Sequence, residues 1–248
     1  MFVPVLFDAV ALLMVVIVAL LVVRQHRRPY FAFLFLVVFV VARIVSILPL
    51  PHALGLHPEG LVYNWIGHLL QIAWVLVFLW AGPLSAKDIG LTFKQRSGTV
   101  LPAVLMTIGV ITFKGGLRVL LNGTPADDLI TETILFQGTM PPLTQEVLYS
   151  GLLLSLLIVA LGGKAADQDF DWSSTIVLAV IVTAFSHAVA FGLRYDAGLQ
   201  VNFGAFLTPF IGKLVYAWLR LSTGSLVFPV LAYSLSNLVV LFIPYLLF

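Results

Sequence analysis

The chain has no cysteine. Disulfides, thiolate metal ligands and a cysteine nucleophile are therefore excluded. Charge is scarce as well: Asp, Glu, Lys and Arg make up 10% of the 248 residues, against about 25% in soluble domains. The 13 Lys+Arg and 11 Asp+Glu leave a net charge of +2, too little to mark a nucleic-acid partner. Period-two alternation is missing from the long apolar runs, so strands are not expected. What is present is apolar surface. Hydrophobic residues make up 61% of the chain and the mean hydropathy is +1.10. One interior core cannot hold that many apolar side chains, so the solvent must be lipid. The class is a polytopic membrane protein.

A spanning helix needs about 20 mainly apolar residues. Roughly eight stretches qualify: Val3–Val23, Tyr30–Leu50, Leu61–Ala81, Thr99–Leu121, Pro141–Leu161, Ser173–Leu193, Val201–Leu219 and Ser225–Phe248. Only helices satisfy the backbone economically at these lengths in lipid. The fold expected is all-α, a bundle of about eight transmembrane helices forming one membrane domain over residues 1–248. The first stretch does not read as a typical cleavable signal, because it carries Asp8 and is followed by Arg24, Arg27 and Arg28. Those arginines, Lys87, Lys94 and Arg96, then Lys164 and Arg220, fall in four loops on one face, which the positive-inside rule makes cytoplasmic. Both termini are then expected outside. The stretch Asn122–Met140 carries Asp127, Asp128 and Glu132 among apolar residues and reads as a short helix on the membrane surface.

Polar side chains within spans are costly and call for a reason. Arg43 and Lys114 either snorkel or pair with a carboxylate. His68 and Gln71 share one helix face and suit bonds to a neighbouring helix. Lys213 is a candidate counter-ion for Glu146. The segment from Thr144 to Gly151 follows Pro141-Pro142, which read as a helix start and put Glu146 about 7 Å into its span. His187 lies about 9 Å from the end of its span, and Asn237 lies about 10 Å before Pro244, where a break is expected. A carboxylate, an imidazole and an amide at similar depth suit a polar cavity. A carboxylate there can act as general base on water, and an imidazole or amide can donate to an oxyanion. The same residues also fit three unrelated interhelical hydrogen bonds or the proton relay of a transporter.

The run Pro142-Leu143-Thr144-Gln145-Glu146-Val147-Leu148-Tyr149-Ser150-Gly151 resembles the first signature of the CPBP family, the CAAX-protease and bacteriocin-processing membrane proteases (the Abi family). That signature reads Glu-Glu-x-x-x-Arg, usually followed by Gly. Thr183 to His187 stands where the family has Phe-x-x-x-His. Thr223-Gly224-Ser225-Leu226 and the run from Pro229 to Asn237 resemble the last signature, His-x-x-x-Asn after Thr-Gly-Ser-Leu. Ser85 to Leu91 is similar to a short cytoplasmic Leu-Gly-Leu element upstream. The similar core covers residues 141–237.

The resemblance implies an intramembrane endopeptidase that hydrolyses a membrane-associated peptide or protein in the lipid bilayer, with water as nucleophile. The location it implies is a bacterial inner membrane. The resemblance credits the first Glu of the pair, where Gln145 stands, with activating water. In an active reading Glu146, which matches the second Glu, takes over as base, His187 and Tyr233 serve the oxyanion, and Asn237 helps hold the site. Gln145 replaces the first Glu of the signature, Ser150 its Arg, Thr183 the Phe and Tyr233 the last His. An amide cannot take a proton as a carboxylate does. The alternative is therefore an inactive relative that binds a membrane peptide or partner in the same cavity, with a transporter as a third option. One His and one firm carboxylate fall short of the three protein ligands of a catalytic zinc, so no metal site is expected.

Overall fold

The computed structural model describes residues 2–22, 27–47, 63–120, 131–165, 172–195 and 199–247. Among these, eight continuous helices follow one another: α1 (Phe2–Val22), α2 (Pro29–Ile47), α3 (Trp65–Ala81), α4 (Val100–Leu120), α5 (Thr131–Ala160), α6 (Ser174–Gly192), α7 (Phe203–Thr223) and α8 (Val227–Leu247). The protein is all-α apart from a small antiparallel ladder between α6 and α7. There β1 (Leu193–Tyr195) pairs with β2 (Leu199–Val201), Leu193 opposite Val201.

Helices α4, α5, α6 and α8 are each long and apolar enough to cross a membrane, while α1, α2 and α3 hold shorter apolar stretches. Large apolar side chains are exposed on the outside of the described bundle, among them Met14, Val22, Trp80, Leu101 and Leu105. In water such a surface would be an aggregation hazard; against lipid it is the expected exterior.

Helix α5 is the axis of the bundle. Its apolar window is 89% buried, against 22% for α4 and α8. It packs against α2, α3, α6, α7 and α8, and every residue from Glu146 to Leu161 is buried. The sequence Glu146–Leu153 is wound as a π-helix, a local loosening that recurs at functional sites. Gly151 lies within it, where a Cβ would come within 3.1 Å of the Ile89 carbonyl oxygen. Glycine there lets the α3–α4 loop press against the middle of α5.

That loop meets the α7–α8 turn. Gly224 ends α7 in the left-handed conformation (φ 75°), a conformation that costs other residues energy. Thr223 Oγ1 caps the Leu219 carbonyl at 2.7 Å, and Ser225 Oγ accepts from the Val227 N–H at 3.2 Å to start α8. The Leu226 N–H donates to Gly90 O at 2.9 Å, Arg96 Nη1 to Leu221 O at 2.5 Å, and Ser225 Oγ to Thr92 O. The Leu-Gly-Leu and Thr-Gly-Ser-Leu elements are thus two halves of one joint. Arg220 Nη2 and Ser155 Oγ both donate to Asp88 O, at 2.6 and 2.8 Å, and the Arg28 N–H donates to Ala160 O at 2.7 Å. The four basic loops therefore gather at one end of the bundle.

Two readings of the sequence are corrected. Residues 131–140 are not a separate surface helix but the first turns of α5, with Pro141 and Pro142 inside the helix. Pro244 does not end α8, which continues to Leu247. Asp127, Asp128 and the rest of 122–130 lie outside the described residues, as do Arg24, Glu59 and Asp196.

Candidate functional site

The start of α5 at Thr131 moves Glu146 from the helix tip toward the middle of the bundle, about 22 Å along α5. There it is fully buried and ion-paired with Lys213 of α7, Oε1 to Nζ 2.5 Å, with neither side chain exposed. Ser150, one turn on, donates to the other carboxylate oxygen at 2.5 Å. Both oxygens are therefore engaged. The resembled signature carries Arg at position 150, one turn from its second Glu. Here Ser150 supplies the hydrogen bond and Lys213 supplies the positive charge from a different helix. Lys213 Nζ also lies 5.4, 5.6 and 5.9 Å from the ring centres of Tyr149, Tyr216 and Tyr233. Aromatic faces are among the few groups in lipid that favour a cation.

A second ammonium, that of Lys114 on α4, borders this cluster. It donates to Ser236 Oγ at 3.2 Å and sits 4.8 Å from the Tyr233 ring centre and 5.2 Å from that of Tyr216. Tyr216 and Tyr233 stack with centroids 5.1 Å apart, and the Tyr216 hydroxyl and Ser236 share a 3.0 Å hydrogen bond. His187 of α6 is buried with its ring edge-on to Tyr149, centroids 4.8 Å apart. Tyr149 is thus the wall between the Glu146–Lys213 pair and the imidazole.

A cavity of about 360 Å³ opens beside this cluster, between α2, α3, α5, α6 and α8. Gln145 and Tyr233 line it, with Gln137, Leu148 and Tyr149 from α5. Its opposite wall comes from Arg43 on α2 and from Asn64, Gly67, His68 and Gln71 at the start of α3. Glu146, His187 and Asn237 are not among the lining residues. Glu146 adjoins the lining residue Gln145 in sequence, and Asn237 Nδ2 donates to Gln137 O at 3.1 Å, two turns of α5 away from Gln145.

The wall from α2 and α3 is held by bonds that the sequence reveals only in part. Arg43 pairs with Asp8 of α1 through Nη2 at 2.8 Å and Nε at 3.0 Å. His68 Nδ1 meets Thr144 Oγ1 at 2.5 Å, and Gln71 Nε2 donates to Ala42 O at 3.2 Å. Asp8, Ser150, Tyr216 and Ser236 join the site without having been expected there. Ser150 is legible as the residue one turn after Glu146; the others carry no local signal. Among the described residues no group of three or more His, Cys, Asp or Glu side chains could hold a metal ion.

Residues 129–239 match the family model described as Rce1-like, type II CAAX prenyl endopeptidase Rce1-like. The matched segment encloses the signatures from Pro141 to Asn237 and covers α5, α6, α7 and α8 as far as Val239. No curated protein and no solved structure matches the chain.

Proposed function

We propose that this chain, whose residues 129–239 match the Rce1-like family model, is an intramembrane endopeptidase in which Glu146 activates water against a membrane-associated peptide. The observation that carries the reading is the buried Glu146–Lys213 pair next to a polar cavity lined by Gln145 and Tyr233. The cavity is within the size range of small-ligand sites, about 300–1,000 Å³. Among its amides, the buried Gln145 Oε1 has no hydrogen-bond partner and is an acceptor that suits a peptide N–H. A bacterial cell membrane is the location that goes with this reading.

In the proposed reaction a cavity water, held by the Gln145 amide, attacks the scissile carbonyl carbon while Glu146 takes its proton. The Tyr233 hydroxyl donates to the resulting oxyanion, and the His187 imidazole supports that step from behind the Tyr149 ring, which it meets edge-on. Collapse breaks the C–N bond, and the proton on Glu146 passes to the leaving amine, restoring the carboxylate. Lys213 compensates that carboxylate between turnovers, and Ser150 must release its hydrogen bond for Oε2 to act.

A second reading, a non-catalytic peptide-binding relative, is favoured by one observation: both Glu146 oxygens are engaged and the residue beside the cavity is an amide. Peptide cleavage by the purified protein in liposomes separates the two. The peptidase reading expects cleavage that falls about 10²–10⁴-fold in Glu146→Gln, the usual worth of a general base. A silent wild type, with activity appearing in Gln145→Glu/Tyr233→His, is the outcome of the binding reading. Cleavage that persists in both Glu146→Gln and His187→Ala would defeat the proposed mechanism.

A further inference from the structure

In an α-helix the N–H of each residue bonds to the carbonyl four positions back. Pro141 and Pro142 have no N–H, so within α5 they deprive the carbonyls of Gln137 and Gly138 of their regular donors four residues on. In lipid an unpaired carbonyl is expensive. These same two carbonyls are met from α8: Asn237 Nδ2 donates to Gln137 O at 3.1 Å, and Ser234 Oγ donates to Gly138 O. The two donors are three residues apart and so share one face of α8. Gly138 permits the approach, since a Cβ there would lie 3.3 Å from Leu238. Tyr233, next to Ser234 in sequence, lines the cavity with Gln145, the fourth residue after Pro141.

We propose that Ser234 and Asn237 are positioning residues that stand in for the two N–H donors missing at Pro142 and Pro141, and that they hold Tyr233 of α8 against Gln145 of α5. Each side chain has its own proline. On this account the Asn237 amide nitrogen serves the α5 backbone and not a reacting oxygen. The inference concerns helix registration and holds whether or not the site cleaves peptides, so its test uses no activity.

The absence of native cysteine allows Gln145→Cys to report on the cavity through its labelling rate with a small methanethiosulfonate reagent in purified protein. Ser234→Ala is expected to change that rate severalfold. In the unlabelled chain it should lower the thermal midpoint by about 2–4 °C, the shift for one lost hydrogen bond in a chain of this size. Pro142→Ala returns an N–H to the Gly138 carbonyl, so in that background Ser234→Ala should change neither readout. Asn237→Ala should be relieved in the same way by Pro141→Ala. The crossed pair, Ser234→Ala with Pro141→Ala, should keep the full effect. Equal relief by either proline change, or none by the matching one, would overturn the proposal. If Asn237→Ala gives no folded protein, the Ser234–Pro142 cycle decides alone.

Discussion

Removing one partner of the Glu146–Lys213 pair should be far worse than removing both, and the two single changes should differ. Each side chain is fully buried, and the pair is closed at 2.5 Å. Stranding one charge of such a pair costs about 3–5 kcal/mol, whereas replacing both by neutral groups of similar volume is often near neutral. The surroundings set the asymmetry. In Glu146→Gln the Lys213 ammonium keeps the faces of Tyr149, Tyr216 and Tyr233, whose centres lie 5.4 to 5.9 Å from its nitrogen. At about 0.5–2 kcal/mol per desolvated cation–π contact, those rings offset much of the loss. In Lys213→Met the Glu146 carboxylate keeps one hydrogen-bond donor, Ser150, and only the more distant charge of Lys114. Lys213→Met should therefore lose close to the full penalty, a fall in thermal midpoint on the order of 10 °C for a chain of this length. Glu146→Gln should lose less than half of that. The double variant should return to within about 1 kcal/mol of the parent. The assay is thermal unfolding of purified protein in detergent, followed by tryptophan fluorescence. A larger loss in Glu146→Gln than in Lys213→Met, or a double variant as unstable as the sum of the singles, would refute the account of what holds the pair.

Other outcomes follow from the same geometry. Tyr233→Phe should lower peptide cleavage by about 10²-fold with little change in KM, as loss of an oxyanion donor does. Arg43→Met strands the buried Asp8 carboxylate and should destabilise the protein by about 3 kcal/mol; adding Asp8→Asn should recover most of that in the same unfolding assay. Gly224→Ala places a side chain at φ 75° against Arg96 and should cost about 1–2 kcal/mol, measurable by denaturation in mixed micelles. Single cysteines at Arg27 and Lys87 should resist an impermeant maleimide applied from outside, while those at Asp128 and Asp196 should react; the reverse pattern would invert the orientation.

The apolar windows locate α4, α6 and α8 to within a few residues, because hydrophobic length is a property of each segment alone. The same reasoning misplaces the start of α5. Pro141-Pro142 is locally the same signal whether it opens a helix or interrupts one. What permits the interruption is Ser234 and Asn237, 96 and 100 residues away from the carbonyls they meet. The Glu146–Lys213 pair is legible because few charges in the spans need partners and these two have opposite sign. Asp8 reads only as evidence against a signal peptide, since nothing near it in sequence points to Arg43, 35 residues on. The depth expected for Glu146 follows from the misplaced helix start, and the cavity is invisible because its two walls come from distant parts of the chain.

Those two walls have different standing. The wall carrying Gln145 and Tyr233 lies inside the family-matched segment, and the wall carrying Arg43, Asn64, His68 and Gln71 lies outside it. The residues nearest the proposed chemistry and the residues that face whatever fills the cavity are therefore divided between two stretches of the gene. Substitutions at Asn64 or Gln71 would thus reshape the cavity from outside the matched segment.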